Sequence, residues 1–470
     1  MPRSSLNSLL IAFSVFAITI GLLLTTPGGS VGRHATAIAL LAFSLALSGW
    51  QLTLMATGPR AAASSMMAHL FFIFFLIIPA LFQLGTQSYA LDMSVYKNET
   101  ATKAAGIVLL FVVFFVVGGA LGPTGLDRAT RTIASCERRR RGNIVVAFVL
   151  LASVLTLAAI LGLGFDTLVA NRASVYDRVE ERETTATLGL FLEMPRAISF
   201  CGVLAVLYLF DRRGGPPGSR RNSAILLGLI IFPLFAVVNF PLGLPRFWLF
   251  GMMIAVFLLY CDLRKIKYRL LLIAGIGGGA YTFFPLFRRL STADRLDPPP
   301  ELASVGEELV TSNFDGFEMI MNIVIVVERF GHTLGHQIAS GLLFFVPRAL
   351  WDGKALASGH YTADKLGYGF TNLSAPAPGE LYLEFSYFGV ILGALAIGYV
   401  YRRADTLYAA SLAFGGVSLH RIQTAMLAGF TIILMRGSLL AIISTIATCF
   451  GTIWLLMVGA RVVRLISPRA

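Results

Sequence analysis

Apolar residues along this chain gather in continuous blocks of about 12 to 24 positions, separated by short polar stretches, instead of recurring at every third or fourth position. A helix with one wet face produces the second pattern, whereas a helix surrounded by lipid or by other apolar helices produces the first. The blocks predict an all-α, polytopic membrane protein with about twelve transmembrane helices. They run from Leu6 to Thr25, Thr36 to Ala56, Met66 to Gly85, Ala104 to Gly122, Asn143 to Leu163, Thr187 to Phe210, Ser223 to Phe240, Phe247 to Tyr260, Leu270 to Leu286, Phe385 to Tyr401, Thr424 to Met435 and Leu439 to Ala460. No small-residue cleavage site follows the first block at a signal-peptide distance, so it is expected to be a retained helix. Three segments result: a membrane domain over residues 1–286, a long outer loop over 287–384, and a second membrane domain over 385–470.

Composition agrees, with 56% hydrophobic and only 13% charged residues, and the charges assign the sides. Lys and Arg concentrate in cytoplasmic loops of membrane proteins. Arg3, Arg60, Arg128, Arg131, Arg138 to Arg141, Arg212, Arg213, Arg220, Arg221, Arg264, Lys265, Lys267, Arg269, Arg402, Arg403, Arg421, Arg461, Arg464 and Arg469 all fall on one side. The acids on that side are Asp127, Glu137, Asp211, Asp262 and Asp405. The net charge of +13 is therefore a topology signal and not a nucleic-acid footprint, with both termini cytoplasmic. The four cysteines lie in spans or on the cytoplasmic side, so no outer disulfide is expected.

Two blocks are too short to cross alone. Phe247 to Tyr260 makes about 21 Å of helix against a hydrocarbon layer of about 30 Å. The preceding turn, Asn239 to Arg246, carries Pro241 and Pro245, whose neighbouring backbone groups need burial in protein or a wet cavity. Thr424 to Met435 followed by Arg436 and Gly437 repeats the arrangement. Snorkelling or a structural ion pair would account for either arginine singly. Two similar short hairpins with outer-side arginines favour a shared anion site at Arg246 and Arg436.

Other polar groups surround this picture. The loop after the fifth span carries Arg172, Tyr176 and Arg178 and then the acids Glu180, Glu181 and Glu183. Glu193 and Arg196 have the spacing of an intrahelical ion pair. The outer loop opens on Pro298 to Pro300, a linker signature. Asn313 to Phe330, bounded by Asp315, Glu318 and Glu328, is too short to span and is expected to be an interfacial or re-entrant helix. Gly341 to Val346 leads into Arg348, Trp351 and Lys354, cations and an aromatic suited to the headgroup region. His332 and His336 have a metal-capable spacing if helical, but no third ligand is evident and no metal or cofactor is expected. Gly275 to Gly279 reads as a close-packing stretch of the ninth span, not a dinucleotide loop.

The series Asn313-Phe-Asp-Gly-Phe, Phe345-Val-Pro-Arg-Ala-Leu-Trp-Asp-Gly-Lys354, Pro376 to Glu380, Phe388-Gly-Val and Arg436-Gly437 resembles the bacterial oligosaccharide repeat-unit polymerases, the O-antigen polymerase (Wzy) family. The resemblance covers roughly Asn313 to Gly437, and the Pro-Arg-x-Leu-Trp-x-x-Lys element is its most specific part. In this chain the loop carrying Arg172 is short and acidic, a departure from the family pattern.

The resemblance implies a metal-independent glycosyltransferase of the GT-C type in the bacterial inner membrane, its active site facing the periplasm. Its substrates would be oligosaccharides linked to undecaprenyl diphosphate, its surroundings membrane lipid, and a chain-length regulator a protein partner. Arg246, Arg348, Arg436, Arg172 and Lys354 would bind the diphosphate, since fixed guanidinium charge in a water-poor recess suits a leaving group that gains negative charge. The acceptor hydroxyl needs a general base, for which Glu380 is the first choice and Asp315 the second. Glu380 could equally cap the tenth span. An O-antigen ligase using the same donor, or a lipid-linked sugar flippase, would share much of this sequence logic.

Overall fold

The structure, a computed structural model, describes residues 32–91, 96–137, 142–170, 192–211, 219–292, 305–371, 373–414 and 416–466. All regular structure among them is helical. Seven helices are long and apolar enough to cross a membrane: Ala35–Thr57, Ala63–Thr86, Asn98–Leu121, Asn143–Leu163, Met194–Asp211, Ala377–Phe414 and Leu439–Gly459. Asn222–Val238 and Arg246–Tyr260 are apolar but shorter. The protein is an all-helical membrane protein; the block from Leu6 to Thr25 lies outside the described residues.

Ala63–Thr86 is the most enclosed of the seven, with 83% of its apolar window buried. It widens into a π-helical turn over Phe72–Ile77, where Phe72 meets Phe111 and Phe115 edge-on. Around it, Asn98–Leu121 and Ala377–Phe414 cross at backbone contact. A Cβ on Gly118 would lie 2.2 Å from the Leu395 carbonyl oxygen, and one on Gly398 would lie 2.1 Å from that of Phe115. Small residues at a crossing let two backbones touch, which is how helices associate when no hydrophobic drive separates them from lipid.

Charged side chains at the helix ends are matched to orphan backbone groups. Asp405 accepts from the N–H groups of Ser64 (2.7 Å) and Ser65 at the start of Ala63–Phe71. Buried Arg269 donates to the carbonyls of Leu263, Met55, Ala56 and Gly58 at the end of Ala35–Thr57. Negative charge at the first turn and positive charge at the last are what the unsatisfied N–H and C=O groups require.

One expectation narrows and one helix proves broken. Gly316–Phe330 packs against Asn98–Leu121, Ala377–Phe414 and the π-helical turn, and is buried along most of its length. An interfacial helix would leave one face open, whereas this one is enclosed inside the bundle, as the re-entrant alternative requires. The following run is open, with Leu342, Leu343, Phe345 and Leu350 exposed. The helix Ala377–Phe414 breaks at Phe385 and Ser386, the latter at φ 57°, ψ −155°. The carbonyls of Leu383 and Glu384, freed by the break, accept from the N–H groups of Thr333 (3.0 Å) and Leu334 (3.1 Å). This break is where the apolar block from Phe385 begins, and it docks the segment Gly331 to Gly335 onto the helix that carries Glu380.

Candidate functional site

The two short helices are packed on each other. Arg246–Tyr260 crosses Leu419–Gly429, and a Cβ on Gly429 would lie 2.5 Å from the Gly251 carbonyl oxygen. The second hairpin is itself broken at Phe430, between Leu419–Gly429 and Thr431–Arg436. Trp248 stacks on Phe430 with centroids 4.6 Å apart and planes 6° from parallel. The turn before Arg246 is held from behind. Arg196 donates to the carbonyls of Gly243 (3.0 Å) and Val238 (3.4 Å), and Trp248 Nε1 donates to Asn239 Oδ1 (3.1 Å). Asn239 in turn donates to Ser199 Oγ. Arg196 also pairs with Glu193 at 3.1 Å, the intrahelical pair its spacing suggests, so this buried arginine is a structural anchor of the turn.

Arg436 closes the site. Its guanidinium lies over the Phe247 ring at 4.7 Å from the centroid, immediately beside Arg246 in the chain. Nη2 donates to Asp315 Oδ1 (2.8 Å) and to the Ser312 carbonyl (2.7 Å), while Nε is buried and has no partner. Asp315, 2% exposed, also accepts from Ser374 Oγ at 2.9 Å. The Arg436 carbonyl accepts from the Ala375 N–H. Two sequence-distant expectations therefore meet: the arginine of the second short hairpin and the second-choice carboxylate form one ion pair beside the first hairpin.

Glu380 lies on the next turn of chain. Its Oε2 and Oε1 accept from the Leu439 N–H at 2.9 and 3.1 Å, and Oε1 accepts from Ser358 Oγ at 2.6 Å. Leu439 opens the last long helix, so Glu380 caps that helix and not the one at whose start it sits. Arg436 and Leu439 are three residues apart, which puts the carboxylate of Glu380 and the guanidinium of Arg436 on the two ends of one short connection.

Arg348 and Lys354 are placed differently. Arg348 donates to the carbonyls of Lys354 (2.7 Å) and Ala355 (2.8 Å), and Lys354 Nζ donates to those of Phe344 and Val346 (both 2.8 Å) and Leu343 (3.3 Å). The Pro-Arg-x-Leu-Trp-x-x-Lys element thus staples its own loop, closing carbonyls that have no helical partner. Lys354→Met is expected to lower the thermal midpoint by several degrees, as loss of three carbonyl contacts implies. An unchanged midpoint would show that the ammonium does not hold the loop. Arg172 lies outside the described residues.

A carboxyl that the sequence marked only as the edge of an apolar run belongs to the same neighbourhood. Glu318, one turn after Asp315 and fully buried, accepts from the Leu91 N–H (2.9 Å) and the Tyr96 hydroxyl (3.0 Å).

No group of three metal-capable side chains occurs among the described residues. His332 and His336 are not on one helix turn, since Gly331 to Gly335 separates the helices Gly316–Phe330 and His336–Leu342. No protein-family model, no curated protein and no solved structure matches the chain.

Proposed function

We propose that the protein is a membrane glycosyltransferase that polymerises oligosaccharide units carried on undecaprenyl diphosphate at the periplasmic face of a bacterial inner membrane. The observation that carries this reading is the Arg436 site: a guanidinium in a mostly apolar bundle, held between the Phe247 ring and the turn from Ser312 to Asp315, with one buried N–H unengaged and a carboxylate one connection away. An anion is the ligand such a group is suited to, and a diphosphate on a lipid needs both a cationic head site and apolar walls. Arg246, at the foot of the neighbouring helix, is the second cation of the site.

In the reaction, an acceptor hydroxyl oxygen bonds to the anomeric carbon of the donor chain as the bond from that carbon to the diphosphate oxygen breaks. The hydroxyl proton passes to a base and undecaprenyl diphosphate departs with the bonding electrons. Charge accumulates on the leaving diphosphate, where a preorganised guanidinium lowers the barrier most. Asp315 is engaged by Arg436 and serves to aim it. Glu380 is the base of this proposal. With the cytoplasmic arginines as above, the site faces the periplasm and both termini the cytoplasm, and the full span count is twelve in a GT-C-like arrangement.

The test is incubation of purified protein in nanodiscs with one lipid-linked repeat unit, without nucleotide sugar or metal. A ladder of longer lipid-linked chains is the expected result. Unchanged units in active-fold preparations would remove the polymerase and leave ligation to another acceptor or transport.

A further inference from the structure

A cavity lies beside the Glu380 helix, with a volume of about 330 Å³. It is lined by residues of the docked segment, of the stapled loop and of the helix Ser358–Leu366, among them His332, His336, Gln337, Asp352, Lys354 and Tyr361. That volume is at the small end of the range for ligand sites, about 300 to 1,000 Å³, and suits one or two sugar rings.

Its polar groups are biased toward acceptors. His332 Nδ1 faces the Tyr382 carbonyl at 3.0 Å, and a carbonyl only accepts, so Nδ1 is the donor there and the imidazole tautomer this selects has Nε2 as its acceptor. His336 Nε2 faces the Gly353 carbonyl at 2.8 Å, leaving Nδ1 as an acceptor by the same argument. Asp352 accepts only, and Gln337, 2% exposed, has a buried Oε1 with no partner. The cations that would attract an anion here are occupied: the three N–H groups of Lys354 are matched to three loop carbonyls, and Arg348 is spent on two more. A phosphate would meet acceptors; a polyol would meet partners for its hydroxyl hydrogens. Tyr361 adds an aromatic wall of the kind on which the C–H face of a pyranose packs.

We infer that this cavity is a glycosyl-binding subsite that takes a neutral hexopyranose of the lipid-linked oligosaccharide. The inference rests on the proposed function and deepens it by locating the glycan. Position supports it: Tyr361 lies one helical turn after Ser358, whose hydroxyl donates to Glu380. A sugar in the cavity is therefore held one turn of helix from the carboxylate that would deprotonate an acceptor.

Two probes separate the subsite from the diphosphate site. One is the free oligosaccharide released by mild acid from the host's lipid-linked pool, and the other is undecaprenyl diphosphate without sugar. Binding of each to full-length protein in nanodiscs is measured for the unaltered chain, for Asp352→Leu and Gln337→Leu, and for Arg436→Lys, with thermal midpoints as the folding control. The expected result is binding of the free oligosaccharide that falls about tenfold or more in Asp352→Leu and in Gln337→Leu, with undecaprenyl diphosphate affinity unchanged. Arg436→Lys is expected to do the reverse. If the unaltered chain binds undecaprenyl diphosphate and not the oligosaccharide, or if oligosaccharide binding survives both cavity variants, the subsite is overturned while the proposed function stands. Displacement of the oligosaccharide by millimolar inorganic phosphate would also overturn it, by showing an anion site. Failure of both probes on folded protein overturns the proposed function and the subsite with it.

Discussion

Arg436→Ala is expected to abolish glycan elongation, and the size of the effect has two separable origins. Removing the guanidinium leaves Asp315, 2% exposed, as an uncompensated buried carboxylate, and breaking a buried pair from one side costs about 3–5 kcal/mol. A protein of ordinary stability could lose its fold on that account alone. The double variant Arg436→Met with Asp315→Asn removes both charges together, and replacement of a buried pair by neutral groups is often close to neutral for stability. It is expected to recover the thermal midpoint and detergent monodispersity of the unaltered chain and still make no ladder. Arg436→Lys keeps the charge but gives up the planar fork and the stacking over Phe247, and is expected to retain a small fraction of the rate. Should the double variant polymerise normally, Arg436 would be a structural partner of Asp315 and the anion site would have to be sought elsewhere.

The local part of this site was legible in the chain. The apolar block from Phe247 to Tyr260, following a proline-bracketed turn, predicts a short helix there, and Arg246–Tyr260 is a helix of 15 residues. The intrahelical spacing of Glu193 and Arg196 likewise announced their ion pair. What could not be read were the partners. Arg436 and Asp315 are 121 positions apart, and Glu380 and the Leu439 N–H are 59 apart. Hydropathy blocks report which stretches are buried in something apolar; they carry no term for which stretch lies against which. For the same reason Arg348 and Lys354 looked like free headgroup cations, although each is folded back onto carbonyls of its own loop. The burial of Gly316–Phe330 was hidden in a different way. Its polar edge residues Asp315 and Glu318 imitate an interfacial helix, and only the fold shows that both carboxyls are satisfied inside the bundle. Gly251 and Gly429, unremarkable in apolar runs, are what allow the two short helices to touch.

Glu380→Gln is the second large expectation, and here stability and turnover should part company. The amide oxygen can keep the Oε1 contacts to Ser358 and Leu439, but the shorter Leu439 contact at Oε2 is lost, which should cost about 1–2 kcal/mol. If Glu380 takes the acceptor proton, turnover should fall about 10²- to 10⁴-fold while donor binding is nearly unchanged. Ser358→Ala is the control that makes the comparison decisive, because it removes the 2.6 Å hydrogen bond to the same carboxylate without removing the carboxylate. It should shift the thermal midpoint by a similar amount, yet reduce turnover far less. Equal turnover losses in Glu380→Gln and Ser358→Ala, tracking equal stability losses, would mean that Glu380 acts only as the cap of the last helix. The requirement for a base would then pass to another group near the Arg436 connection. A carboxylate can hold a helix start and also receive a proton, since the capping N–H groups occupy only some of its lone pairs. The two roles are therefore compatible in one residue, and only the separation of rate from stability distinguishes a cap that catalyses from a cap that merely holds Leu439 in place.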